Sequence, residues 1–334
     1  MKNNPVFIIA EAGVNHNGNL DIALNLCKAA KEAGADAIKF QTWKTEKLIS
    51  QTVDQAKYQQ INTGVIESQY EMLKRLELSY NDFNKIKIFC DSIGIIFSST
   101  ADEEESLDFL LKLGIPFIKI GSGEITNIPY LRYIGSKKLP VILSTGMSYL
   151  SDVDIAYRTL QNAGSSDISI LHCTTNYPCE YKDVNLNALR TLKKSFQCPV
   201  GYSDHTIGIE ISIAAVVLGA SIIEKHFTLD IKMDGPDHAA SASPKQFKEM
   251  VSLIRNVEIA LGTGIKQPSE SENEISNVVL KRIVAKKDIM MDEYFSEENI
   301  CIKRNDNGLS ASMWDIVIGR HAKKNFITDE GIKI

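Results

Sequence analysis

The residues of this chain best suited to chemistry fall in two short runs, GYSDHT at 201–206 and EKHF at 224–227. Read as strand ends, their alternation places Ser203 with His205 on one face, and Glu224 with His226 on one face. Neighbouring strands then bring two imidazoles together beside carboxylates. That donor set suits a divalent cation such as Mn, Mg, Co or Zn that keeps positions open for substrate oxygen. A lone histidine is more often a core residue satisfied by backbone groups, but two at the ends of consecutive strands favour the ligand reading. Asp204 and Lys225 alternate outward, where orienting neighbours or covering helices is the default role.

A second set suits anions. Lys39 and Gln41 share a strand face; Lys119, Ser122 and Glu124 lie in KIGSGE; Thr100 and Ser144 end two further runs. Lysines and hydroxyls converging from several strands, with glycines that let the backbone approach closely, are what a phosphate or carboxylate requires. Singly each is weak: a strand-end lysine is usually a solvated rim residue, and STGM at 144–147 reads equally well as a tight turn into a helix. Carboxylates complete the constellation. Glu11, Glu124, Glu224 and Asp237 could orient water or act as general acid and base, while one or two of them cap glycine-rich turns. His16 and His238 read as turn-stabilising, His172 as a barrel-interior residue and His321 as a surface one.

Positioning such groups takes a repeated scaffold. Eight apolar β-type runs end at Glu11, Gln41, Thr100, Glu124, Gly146, Thr175, His205 and Phe227, and helical spacing separates them. In LDIALNLCKAAKEAGA, Leu20, Ala23, Leu24, Cys27 and Ala30 form one stripe ahead of Gly34. Further helices are expected over 103–113, 151–163, 184–195, 208–219 and 244–261. Strand, helix, strand means a parallel sheet, and eight repeats with polar carboxyl ends imply an α/β (β/α)8 TIM barrel. The connection from Thr42 to Ser79 is too long for a simple loop and predicts a lid or an added helical hairpin. Periodicity fades at GTGIKQPSESENEISN. The reading is a catalytic barrel over 1–261, a flexible linker over 262–279 and a small β-rich domain over 280–334, itself too small to do much alone.

Composition narrows the class. With 334 residues the chain can bury a large core and still carry an extra domain; its formal charge of -5 argues against nucleic acid as the main partner. Six cysteines without a CxxC pair point to reduced thiols. No apolar stretch suits a membrane span, and the start lacks a signal-peptide pattern, so a cytoplasmic location is expected.

Over nearly the whole chain, IAEAGVNHNG, KFQT, KIGSGE, STGM, HCTTNYP, GYSDHT, EKHFT and GPDH follow one another in an order that resembles the sialic acid synthases, including the similar N,N'-diacetyllegionaminate synthases. KRNDNGLSA before IGRHAKKNF resembles their antifreeze-like (SAF) C-terminal domain. The resemblance implies condensation of phosphoenolpyruvate with an N-acetylated mannosamine-type sugar, a divalent metal (Mn, Mg or Co) and a domain-swapped homodimer. It implies metal ligation by His205 and His226, and phosphoenolpyruvate contacts from Lys39, Thr100, Lys119, Ser122, Ser144 and Ser203. Thr175, or Asn176 beside it, stands where the family carries a phosphate-contacting asparagine. Sugar contacts fall to Gln41, Glu124, Tyr177 and Asp237, with Arg304 reaching the N-acetyl group from the partner subunit. Glu11 and Glu224 are the candidates for moving protons. Ala101 replaces the proline usual after strand three, and Asn305-Asp306 alters the turn after Arg304.

Three other readings compete. A synthase of eight- or seven-carbon phosphorylated sugar acids would not need the SAF-like tail. A metal-dependent hydrolase barrel would carry an HxH pair on its first strand, where Asn15, His16 and Asn17 stand. A free binding module would not need the strand-end set. SGE after strand four resembles the sialic and legionaminic branches rather than the pseudaminic one.

Overall fold

In the computed structural model, which describes residues 5–56, 59–60, 64 and 66–334, the chain divides into two compact units, Met1–Gly262 and Thr263–Ile334. The first is a closed barrel of eight parallel strands in sequence order: β1 (Phe7–Gly13), β2 (Ala37–Thr42), β3 (Ile96–Ala101), β4 (Ile118–Ile120), β5 (Val141–Ser144), β6 (Ile168–His172), β7 (Val200–Asp204) and β8 (Ile222–His226). β8 closes on β1 in a register that pairs Ile9 with Glu224 and Glu11 with His226.

Period-two alternation sorts every strand. Outward residues such as Ile8, Ile38, Phe97, Leu143, Tyr202 and Ile223 pack against the surrounding helices. Inward residues of the first strand turns, Phe7, Ile9, Ala37, Phe117, Ile142, Leu171 and Ile222, form a separate apolar plug. The barrel is therefore filled at its amino end and polar at its carboxyl end.

The helices start where local chemistry dictates. Leu20–Glu32 begins at Asn19, whose side chain accepts from Asp21 and Ile22, and buries Ala23, Leu26, Cys27 and Ala30. Leu24 is only partly buried, so the buried stripe is rotated toward Leu26. The expected helices appear as Glu104–Leu113, Leu150–Ala163, Ala188–Phe196, Glu210–Val217 and Pro244–Leu261. The long connection holds Thr45–Leu48 and Gln69–Leu76, whose Trp43, Met72 and Leu76 form a small core with Val14 at the barrel mouth. The rest of that expected lid falls partly on residues outside those described.

Three expectations are corrected. The run ending at Glu124 is a strand only over Ile118–Ile120; beyond Gly121 the chain tightens into a 3-10 turn over Ser122–Glu124. His172 faces away from the barrel axis, because Leu171 takes the inward position of β6; its Nε2 lies 2.7 Å from the Val184 carbonyl oxygen. The stretch read as a flexible linker carries the helix Glu270–Val279, started by a Ser269–Glu272 capping box.

The second unit pairs β9 (Lys281–Ala285) antiparallel with β10 (Ile300–Arg304) over a core including Ile283, Phe295, Val317 and Phe326. Among the described residues, no helix is long and apolar enough to cross a membrane.

Candidate active site

Two residues above five of the seven members of the apolar plug, the inward positions turn polar. Glu11 follows Ile9, Lys39 follows Ala37, Lys119 follows Phe117, Ser144 follows Ile142 and Glu224 follows Ile222; all are buried. Burying so many polar groups is tolerable only if they satisfy one another. Lys39 Nζ lies 2.6 Å from Glu11 Oε2, 3.8 Å from Glu224 Oε2 and donates to Thr100 Oγ1 at 3.0 Å. Lys119 Nζ lies 3.3 Å from Glu224 Oε1 and donates to Ser144 Oγ at 2.8 Å. Ser203 Oγ donates to Glu224 Oε1 at 2.9 Å, and Gln41 Nε2 to Glu11 Oε1 at 3.3 Å.

The two glutamates are not equivalent. Burial and the nearby Glu224 charge push Glu11 up to about 7 in spite of Lys39. Burial would raise Glu224 as well, but Lys119, Lys39 and the Ser203 hydroxyl hold it down at about 2. For Lys39, burial opposes the charge and the two carboxylates outweigh it, so the ammonium is held above its usual range. One carboxyl is thus poised to exchange a proton near neutrality, and the other is a fixed charge.

Beside this network stand the imidazoles. The His205 and His226 rings lie with centroids 5.5 Å apart, and Tyr177 packs against both at 4.3 and 5.3 Å. His205 Nδ1 sits 2.6 Å from the Thr174 carbonyl oxygen, which leaves Nε2, 3.3 Å from Ser203 Oγ, as the lone-pair nitrogen. His226 Nδ1 is buried without a hydrogen-bond partner, its nearest carboxylate being Asp237 at 3.9 Å. Burial lowers both imidazole pKa values, His226 well below 6.5 with the help of His205. Burial also raises Asp237, to about 6. Neutral paired imidazoles with an orphaned nitrogen are the state in which histidine binds a cation. Among the described residues no group of three or more His, Cys, Asp and Glu side chains is arranged to hold an ion.

The STGM turn is also part of the mouth. The Gly146 amide donates to Ser122 Oγ at 3.0 Å, and a Cβ at Gly146 would stand 2.1 Å from Thr175 Oγ1 and 2.8 Å from Ser122 Oγ. Thr175 Oγ1 is itself buried without a partner. Ser122, Gly146 and Thr175 therefore frame a small cradle that only glycine keeps open. Gly13 serves β1 similarly: its backbone is left-handed where the register slips, and a Cβ there would press on Glu11 Oε1 at 3.2 Å.

His16 and His238 are structural. His16 Nδ1 accepts from the Gly18 amide, and His238 reaches Thr228 Oγ1 at 2.6 Å and Asn17 Oδ1 at 3.2 Å, tying the loop after β1 to that after β8. Glu124 stands at the rim with Oε2 accepting from Asn127 at 2.6 Å. Arg304 is exposed at the end of β10 in the second unit. His321 is exposed there too.

Two features became clear only in the folded chain. Asp204 and Lys225 form a fully buried pair at 2.9 Å on the outer face, with Thr206 and Ser212 also donating to Asp204. Their alternation phase was readable; their mutual contact needed the β7–β8 register. Asp102, just past β3, was hidden in an acidic run that looked like a helix start. Outside the barrel axis, a cavity of about 510 Å³ is lined by Thr145, Met147, His172 and Asn185, and another of about 870 Å³ carries Asp36, Lys193, Arg255 and Glu258, where Arg255 pairs with both carboxylates.

The comparisons with known proteins agree with this geometry. The NeuB family profile matches residues 26–266. The chain is similar to the N,N'-diacetyllegionaminic acid synthase of Legionella pneumophila, 48% identical over 96% of this chain and 91% of that one. It is similar to that of Campylobacter jejuni, 47% identical over 98% of both chains. Among solved structures it resembles the N-acetylneuraminic acid (sialic acid) synthetase of Leptospira borgpetersenii, with TM-score 0.74 and 36% identity over 83% of this chain and 93% of that one. With a family profile spanning most of the barrel and a polar strand-end ring to match, the chain belongs to the NeuB family, the phosphoenolpyruvate-dependent synthases of sialic-acid-type sugar acids.

Proposed function

We propose that this enzyme condenses phosphoenolpyruvate with a 2,4-diacetamido mannose-type sugar to give an N,N'-diacetyllegionaminate-type acid and phosphate. The observation that carries the reaction is the buried ring of Glu11, Lys39, Lys119 and Glu224, an anion floor beside one titratable carboxyl. The choice of sugar rests on two relatives named as N,N'-diacetyllegionaminic acid synthases, at 48% and 47% identity. N-Acetylmannosamine, which would give N-acetylneuraminate, is the second candidate.

Lys39 and Lys119, with Thr100, Ser144 and Ser203, hold the anionic groups of phosphoenolpyruvate so that its methylene carbon faces the aldehyde carbon of the open-chain sugar. Ser122, the Gly146 turn and Thr175 cradle a phosphate oxygen. A carbon-carbon bond forms as the enol electrons attack the aldehyde, whose oxygen takes a proton from Glu11. Water then adds to the carbon bearing phosphate and gives up a proton to the same carboxylate. The tetrahedral adduct loses phosphate by carbon-oxygen cleavage. Glu224 remains ionised and keeps both lysines and Ser203 in place. His205 and His226 would hold a divalent cation such as Mn, Mg or Co, which, when bound, supplies Lewis-acid polarisation of the sugar carbonyl. Gln41, Glu124, Tyr177 and Asp237 line the sugar side. Arg304 reaches the N-acetyl group from the partner of a domain-swapped homodimer, and the enzyme works in the cytoplasm.

Phosphate release from phosphoenolpyruvate with a panel of 2-acetamido and 2,4-diacetamido sugars tests enzyme class and acceptor together. The 2,4-diacetamido sugar should give the highest kcat/KM. A preference for N-acetylmannosamine would return the enzyme to the N-acetylneuraminate branch, and no release with either would sink the reading. Mixing inactive His205→Ala and Arg304→Ala proteins should restore part of the activity on subunit exchange; a verified heterodimer without recovery would remove Arg304 from the partner's site.

A further inference from the structure

The barrel mouth is divided by chemistry into two tiers. The floor is rich in donors: Lys39, Lys119 and the Thr100, Ser144 and Ser203 hydroxyls surround the place an anion would occupy. One strand position higher, above Lys39 and Thr100, the rim changes sign. Gln41 spends one of its two amide hydrogens on Glu11 and keeps its carbonyl oxygen, and Glu124 is a carboxyl. Asp102 joins them: it lies two residues beyond Thr100, and its amide donates to the Thr42 carbonyl at 3.2 Å.

Asp102 is held firmly yet has nothing to hold. The Tyr130 hydroxyl donates to the Ala101 carbonyl at 2.8 Å and has the Glu103 carbonyl within 3.4 Å, so the backbone on both sides of Asp102 is pinned by one buried ring. Glu103, its neighbour, spends its carboxylate capping the helix Glu104–Leu113. The Asp102 carboxyl, in contrast, makes no hydrogen bond or ion pair among the described residues, although it is close enough to Lys39 and Glu11 to exchange charge effects with them. Burial, then the Glu124 and Glu11 charges, raise it to about 7 against the pull of Lys39. A half-buried carboxyl at a substrate entrance without a protein donor is a group whose partner comes from outside the chain.

We propose that Asp102 is an acceptor-sugar contact: its carboxyl, with Gln41 and Glu124, forms an acceptor-rich rim that binds the hydroxyl and amide N–H groups of the uncharged sugar and turns the anionic co-substrate down to the lysine floor. The inference rests on the proposed synthase reaction. In either protonation state Asp102 offers at least one acceptor oxygen. Phosphoenolpyruvate brings only acceptors and negative charge, so the rim repels it, whereas an acetamido sugar brings donors around its length.

The test is steady-state kinetics of Asp102→Ala and Asp102→Asn with phosphoenolpyruvate and the 2,4-diacetamido sugar, or N-acetylmannosamine if the wild type prefers it. Asp102→Ala should raise the acceptor KM by about tenfold or more, the scale of losing hydrogen bonds to a charged group. Asp102→Asn, which keeps one acceptor oxygen, should fall between it and wild type. The phosphoenolpyruvate KM should stay within about twofold, since the floor is untouched. An unchanged acceptor KM, or both KM values rising together with a lowered Tm, would overturn the assignment, the latter because a structural role moves both substrates alike. Wild type that releases no phosphate with either sugar would bring down the proposed function first and this inference with it, and that result is seen before any variant is made.

Discussion

The two halves of the barrel interior are built from the same strands, with side chains aimed at the same axis, yet they do opposite things. Ile9, Ala37, Phe117, Ile142 and Ile222 fill the amino-terminal half; Glu11, Lys39, Lys119, Ser144 and Glu224, each two residues later, fill the carboxyl-terminal half. Neither layer is exposed, so burial alone does not separate them. The plug gains stability from apolar burial, whereas the ring above accepts the desolvation of four charges because each lies against an opposite one. Substitutions in the upper layer should therefore change activity more than stability, and those in the lower layer the reverse.

The largest effect on activity is expected from His205→Ala or His226→Ala, each removing one of the two imidazoles at the mouth; turnover should drop to background while the far-ultraviolet circular dichroism of the barrel is retained. Chelator-treated wild type should match them. Full activity in stringently metal-free protein, or in either variant, would end the ligand assignment.

The next step down compares the two glutamates. Glu11→Gln should cost turnover roughly 10²-fold with little change in either KM, the usual scale for a general acid or base, and should erase an ionisation near neutrality from the kcat–pH profile. Glu224→Gln leaves Lys39 and Lys119 without their shared counter-charge, so it should disturb the phosphoenolpyruvate KM as well. If the two variants behave alike, the asymmetry between a titrating and a fixed carboxylate is wrong.

Beneath Glu11, Ile9→Ala sharpens the contrast on one strand. It should cost about 2–5 kcal/mol of stability, the range for opening a cavity under a buried isoleucine, while kcat of the folded enzyme changes little. Urea midpoints and kcat measured on the same preparation decide it. A loss of kcat matching that of Glu11→Gln would show that the plug and the ring are not separable.

The smallest effect on catalysis is expected at His16, in the loop after β1. Burial, with the nearby His238, holds its pKa near 3 against 6.5 for the ordinary imidazole. Between those values the unfolded chain binds the extra proton and the folded chain does not. Stability is thus fully present above about pH 6.5 and is lost as the pH falls toward 3, by up to roughly 5 kcal/mol for this group. His16→Asn should flatten the fall in unfolding free energy between pH 6.5 and 4 while leaving kcat near wild type. An unaltered slope would mean that His16 already binds its proton in the folded state.

Much of this was legible in the chain itself. Strand runs ending in Glu11, Lys39-Gln41, Thr100, Ser144 and His205 carried the eightfold repeat, since period-two alternation and polar carboxyl ends are local properties. His172 was misplaced because HCTT looks like its neighbours; which of Leu171 and His172 faces the axis depends on the phase of β6, and both phases put apolar side chains inside. The linker helix Glu270–Val279 escaped because its apolar side is weak and only the Ser269 capping box marks it.

By itself, the sequence determined which groups would gather at the mouth, because alternation along each strand commits a residue to one face wherever one face is packed. Tertiary structure decided what those groups are once gathered. Glu11 and Glu224 are identical side chains; one titrates near neutrality and the other stays ionised because barrel closure places both lysines and Ser203 around Glu224 but leaves Glu11 with Lys39 and a neighbouring negative charge. Desolvation and the sum of nearby charges are properties of a three-dimensional arrangement, so no reading of either residue's sequence neighbours could have told the two apart.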